Sequence, residues 1–231
     1  MKSHKGVYIC HILISSFLLI LFLPERMSAQ EKLSIGVHFD PMICWFGTDV
    51  ASVNNEGARP GLNAGLSFRF RFTDNYSFST GLNLKNAAGR LVSDNETVLD
   101  LANTVTVAAR EPVIYKIQYI AVPVGLKLQT KQIGYLTFFT DVGIDPKVNI
   151  GGKVDIPSLS IKGEKANDEL KLFNLSYHFM AGIEYGLGGN TAAVVAIGFE
   201  NNFLDVTMDR GTQPVDKITH RMISVRLGIN F

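Results

Sequence analysis

Taken in steps of two, the chain separates into apolar and polar positions over eight stretches. Residues 61 to 72 carry the clearest case, with Leu62, Ala64, Leu66, Phe68, Phe70 and Phe72 on one parity and Asn63, Gly65, Ser67, Arg69 and Arg71 on the other. A strand sends successive side chains to opposite faces, whereas a helix would scatter these arginines among the phenylalanines around its circumference. The remaining stretches are 33–45, 76–86, 118–129, 135–145, 172–186, 191–203 and the terminal run from Ile223 to Phe231. In each, one face is aliphatic or aromatic and the other holds Ser, Asn, Gly or charge.

The connections add a second regularity. Residues 73–75, 130–134 and 186–190 are short and rich in turn formers, while 46–60, 87–117, 146–171 and 204–218 are long, and the two kinds alternate strictly. A strand needs only about 9–11 residues to cross a bilayer, so such a protein escapes a search for long apolar helices. The pattern predicts an all-β fold: an eight-stranded, antiparallel, up-and-down transmembrane β-barrel with short periplasmic turns and long extracellular loops. A soluble lipocalin-like barrel is the alternative, but its interior would be apolar, and here the smaller face carries the charges. Aromatics are expected in two girdles, Phe70, Phe72, Tyr76, Phe78, Tyr185 and Phe231 at the turn end, and Trp45, Phe46, Tyr115, Phe173 and Phe203 at the other. Pro41 and Pro123 should mark bulges or strand ends, because proline cannot donate to the ladder. The alternating Val105, Val107 and Ala109 suggest hairpins rising above the membrane.

The amino terminus reads as an export signal. Lys2 and Lys5 precede an apolar run from Gly6 to Leu23, and Met27-Ser28-Ala29 ends in a small residue, so cleavage is expected after Ala29. The domains are then a removed signal, 1–29, and a barrel, 30–231. An uncleaved anchor is the competing reading of that run. Removing Lys2, Lys5, Glu25 and Arg26 takes the net charge from +1 to about −1, which leaves no basic excess for nucleic acid. Of the two cysteines only Cys44 remains, which excludes an internal disulfide and a cysteine-built metal site.

The closing Val225-Arg226-Leu227-Gly228-Ile229-Asn230-Phe231 resembles the final strand of Gram-negative outer-membrane barrels. Tyr119-Ile120-Ala121-Val122-Pro123-Val124-Gly125-Leu126-Lys127 and Met180-Ala181-Gly182-Ile183-Glu184-Tyr185-Gly186 resemble strands of the outer-membrane β-barrel domain family that includes PorT-like proteins. The resemblance implies residence in the outer membrane with both termini periplasmic, contact with its lipid, and assembly by the barrel-assembly machinery through a terminal signal at Phe231. For some relatives it also implies a role beside the subunits of a secretion or gliding apparatus. The family is not defined by an active site, so no catalytic residue, cofactor or metal carries over.

The chemistry left to place is in the interior. Asp40, Arg69, Arg71, Lys85, Lys127, Glu184, Glu200 and Arg226 all take the inward parity, and a buried charge must be paired, so a salt-bridge network plugging the lumen is expected. A narrow diffusion channel is the alternative. Ser176, His178 and Glu184 share a face and would suit a lipid-modifying hydrolase, but about 20 Å separates Glu184 from His178 along a strand. Asp94, Glu96, Asp100, Glu164, Asp168 and Glu169 sit in the long connections as solvated carboxylates, too dispersed for calcium. The expected role is therefore a non-enzymatic surface protein whose loops carry any structural or binding function.

Overall fold

The structure, a computed structural model, describes residues 33–101, 103–208 and 217–231, so the expected signal segment lies outside the described residues. Among the described residues thirteen strands follow in order: β1 (Leu33–Gly47), β2 (Val53–Asn55), β3 (Arg59–Arg71), β4 (Tyr76–Ser93), β5 (Thr97–Asp100), β6 (Thr104–Val107), β7 (Pro112–Ala121), β8 (Val124–Gln129), β9 (Leu136–Ile156), β10 (Ile161–Lys165), β11 (Phe173–Gly188), β12 (Thr191–Asn202) and β13 (Thr219–Asn230).

Antiparallel pairing runs β1–β3–β4, then through β7 and β8 to β9, and on through β11, β12 and β13. β13 pairs back onto β1, with Val37 opposite Ile229 and Phe39 opposite Leu227, so the ring closes. Closure removes every unpaired edge within the bilayer, where unmet backbone groups are costly. β7 and β8 form one stave in two pieces, since both keep the same register on β4 across the gap; counted once, they make a ring of eight. The gap falls at Val122-Pro123, as proline chemistry predicts. Pro41 behaves otherwise. β1 passes through it with unchanged register on both neighbours, so there is no bulge or strand end. The ladder loses proline's one donor and absorbs the loss because flanking pairs hold the strand.

Over the half of the barrel nearer the short turns, the outward face is apolar. Leu33, Ile35, Val37 and Phe39 are 44–50% exposed, while His38 and Asp40 of the same strand are buried at 8% and 1%. Apolar side chains turned outward from every stave make a belt that only lipid covers well. Gly188 and Gly189 turn the chain between β11 and β12 with φ of 117° and 58°, a region side-chain-bearing residues rarely enter.

Toward the long connections the polarity inverts while the parity stays fixed. On β4, inward Ser77, Asn83 and Lys85 give way to inward Ala87 and Leu91, and the outward positions become Asn86 and Arg90. On β1, inward Met42, Cys44 and Phe46 follow inward His38 and Asp40. Water replaces lipid outside, so the apolar side chains turn into the interior as in a soluble barrel. The long connections are consequently shorter than expected: β4 runs on to Ser93 and β7 starts at Pro112. The β5–β6 hairpin stands above the ring and lowers Leu99 and Val107 into this upper core.

Candidate functional site: the filled barrel interior

The lower interior is a set of charge clusters built from staves far apart in sequence. Near the turn end, Glu184 on β11 accepts from Arg69 Nη1 at 2.8 Å, Lys127 Nζ at 2.5 Å and Asn230 Nδ2 at 2.9 Å. The Lys127 ammonium also sits 3.7 Å from the centroid of the Phe139 ring. In the second cluster, Arg226 Nη2 donates to Asp40 Oδ2 at 2.9 Å, Asn63 Nδ2 to the same oxygen at 2.7 Å, and His38 Nδ1 lies 3.0 Å from Oδ1.

The third cluster is the largest. Lys85 bridges Asp145 at 2.9 Å and Glu200 at 2.5 Å, and Lys147 donates to Glu200 and Asn202, each at 2.7 Å. Arg69, Lys85, Lys127, Lys147 and Arg226 balance Asp40, Asp141, Asp145, Glu184 and Glu200 in formal charge. Balance matters because an uncompensated charge in such a place costs several kcal/mol, of order 3–5 when a partner is removed.

Seven of the eight residues expected in the network sit in these clusters. Arg71 does not; it is exposed at the turn end of β3, where the strand has run past the network into solvent. Asp141, Asp145 and Lys147 of β9 are the members that sequence reasoning missed. They share the inward parity of Phe139: Asp141 and Asp145 fall within the expected strand 135–145, where parity already offered them, while Lys147 lies past its expected end because β9 continues to Ile156.

Ser176, His178 and Glu184 are kept apart in their contacts. Ser176 Oγ donates to Glu200 Oε1 at 2.7 Å, His178 lies between Asp145 at 2.8 Å and Asp141 at 3.5 Å, and Glu184 belongs to the turn-end cluster. A hydroxyl whose proton goes to a carboxylate is not held for transfer to the imidazole, so the arrangement matches structural pairing and not a triad.

Above the charges the filling is apolar. Phe46 and Tyr115 meet edge to face at 6.2 Å, and Leu99, Ile117, Val154, Ile156 and Leu170 close around them. Phe46 and Tyr115 therefore belong to the core and not to a girdle, because their parity is inward; Phe173 and Phe203, at 51% and 45% exposure, do face out. Glu169 departs from its expected solvation. It is 2% exposed, and its Oε1 accepts from the backbone N–H of Asp100 at 2.5 Å, pinning the β5–β6 hairpin to the segment before β11. Small hollows lie along the axis among the described residues, of about 70 Å³ between the middle and upper charges, about 60 Å³ in the upper core and about 40 Å³ toward the turn end.

The family model for the outer membrane protein beta-barrel domain matches residues 29–206. Among solved structures, Neisserial surface protein A (NspA) is similar at 10% identity, over 86% of this chain and 95% of that one, with a TM-score of 0.48. OprG of Pseudomonas aeruginosa is similar at 9% identity, over 86% and 94%, with 0.43, and Ail of Yersinia pestis at 11%, over 87% and 99%, with 0.39. No curated protein matches the chain. A ring of eight strands closed on itself, lipid-facing outside and charge-paired inside, together with the match over residues 29–206, makes this chain a member of the outer membrane protein beta-barrel domain family.

Proposed function

We propose that this protein is a non-enzymatic surface protein in which the lower barrel is a closed membrane anchor and the folded loop end is the part that meets the exterior. The observation that carries this reading is the double filling of the interior, charge pairs below and the Phe46–Tyr115 core above, capped by the β5–β6 hairpin. Paired charges and packed aromatics occupy the interior among the described residues and leave only small hollows, which favours an anchor over a diffusion channel. Long connections that fold into a compact cap present a defined surface, and binding roles concentrate on such segments. On this reading both termini are periplasmic, residues 1–29 are a removed signal, and Phe231 belongs to the assembly signal.

The test uses the purified protein in planar bilayers and the intact cell. The expected outcome is a silent barrel together with proteolytic cleavage of the cap, between β5 and β6, from outside the cell. Steady unitary conductance would overturn the anchor reading, and a cap cut only after the outer membrane is opened would overturn the orientation.

A further inference from the structure

Outside the barrel, where the apolar belt ends, three lysines stand in one cross-strand row. Lys116 of β7 is opposite Lys153 of β9, and Lys153 is opposite Lys165 of β10. All three are exposed, and directly opposed like charges destabilise a sheet. Lys116 is paired with Asp155, but among the described residues no carboxylate lies within ion-pair distance of Lys153 or Lys165. Glu164, beside Lys165 in sequence, pairs with Val154 and so takes the opposite face. The row keeps a net positive charge.

The wall beneath the row is recessed. A hollow of about 700 Å³ opens on the outer face between β3, β4, β7, β9 and β10. Its floor includes Gly151, which turns outward beside Gln118 and has no side chain to fill the hollow, and its membrane side is Leu62 and Ile150. Ile150 is the extra residue where the β7–β9 register shifts between Gln118 and Tyr119, and such a bulge coils the sheet locally. On the same staves Ile120, Val148 and Ile150, at 41%, 42% and 49% exposure, form the last apolar outward positions before the lysines. Acyl chains resting on these residues place a headgroup in the recess, under the ammonium groups.

We infer that this recess binds a phosphorylated glycolipid headgroup of the surrounding leaflet, with Lys153 and Lys165 contacting phosphate and Lys116 closing the row. The inference rests on the reading above that the loop end faces the exterior, since that leaflet supplies phosphorylated glycolipid. A phosphate dianion between two unpaired ammonium groups relieves their repulsion and gains charge-assisted hydrogen bonds. The volume suits a disaccharide-sized headgroup better than an isolated phosphate.

Binding is measured on the full chain in neutral detergent, with diphosphoryl lipid A, its dephosphorylated form, phosphatidylglycerol and inorganic phosphate as probes. Wild-type protein should prefer diphosphoryl lipid A, and the Lys153→Gln/Lys165→Gln variant should lose about thirty-fold in affinity, since each lysine near a lipid surface contributes about a factor of five. Lys131→Gln, at the turn end, serves as control and should bind as wild type. Retained heat-modifiable electrophoretic mobility shows that each variant is folded. Equal affinity of wild type and double variant, or indifference to the lipid's phosphates, overturns the site. Equal binding of phosphatidylglycerol overturns the glycolipid assignment, and full competition by inorganic phosphate assigns the recess to the free ion. Because this assay is blind to orientation, its failure is separable from failure of the surface-cleavage test.

Discussion

The ammonium group of Lys147 lies 2.7 Å from Oε1 of Glu200, and the lysine side chain is wholly removed from solvent. Glu200 also holds Lys85 and the Ser176 hydroxyl, so one carboxylate joins four staves. Replacing it as Glu200→Gln leaves two buried ammonium groups short of a counter-charge. The expected loss is about 3–5 kcal/mol, read from urea unfolding in lipid vesicles. Adding Lys147→Met to that variant should recover part of the loss, because the surplus cation then goes; no recovery would mean that the pair is not the relevant unit.

Arg69 and Arg71 are two residues apart on one face of β3 and separate sharply in consequence. Arg69 grips Glu184 and the Ser34 hydroxyl, whereas Arg71 is exposed. Arg69→Ala should cost about 3 kcal/mol and Arg71→Ala about 0.5 kcal/mol or less in the same unfolding measurement. Equal costs would contradict the placement of Arg71.

The Phe46 ring packs directly on Gly89, so a methyl group there has no room. Phe46 is 1% exposed and cannot swing away. Gly89→Ala should therefore destabilise the loop-end core by about 1–3 kcal/mol by overpacking, and Phe46→Leu in the same chain should relieve it. A neutral Gly89→Ala would mean that the cap is looser than its packing implies.

Asp155 lies beyond the belt, on the loop-end extension of β9. Burial against the hairpin opposes its ionisation, but hydrogen bonds from Lys116 and the Gly163 N–H, with the charges of Lys116 and Lys162, hold its carboxyl below the usual range. A carboxyl depressed on folding stabilises the β9–β10 hairpin fully above its unfolded pKa of about 3.9 and loses that contribution as pH falls through the lower folded value. The amide resonance of Gly163 should accordingly titrate with a midpoint below that of a free aspartate, and Asp155→Asn should abolish the titration. A midpoint at or above the free value would exclude the contact in solution.

Phe231 joins the sheet through its backbone, donating to Ile35 O at 2.7 Å and accepting from Ile35 N at 3.2 Å, with its ring 56% exposed. Any residue can make those bonds. Phe231→Ala should thus refold normally into detergent while less protein reaches the outer membrane of cells. A refolding defect of the same size as the cellular one would assign the ring a structural role instead.

Much of the fold was legible because parity is a local property. Leu66, Phe68 and Phe70 point away from Ser67 and Arg69 whatever surrounds them, and the short turns announced themselves by Asp74-Asn75 and Gly188-Gly189-Asn190. Reading apolar positions as outward worked up to the end of the belt and failed beyond it, at Phe46 and Tyr115. The side chains there keep their direction, and it is the medium outside that changes. The strands accordingly looked shorter than they are, and Lys147 and the lysine row past Ile150 fell into what read as loops.

By itself, then, the sequence determined the all-β class, the number of staves and the face each side chain takes, since a two-residue period needs no distant partner. Only the tertiary structure decided which inward charges meet. Arg69 and Glu184 are 115 residues apart and come within 2.8 Å because ring closure sets the stagger of every stave at once. The same stagger places Lys116, Lys153 and Lys165 in one row. Pairings of that range depend on how all the strands register around the barrel, which no local pattern encodes.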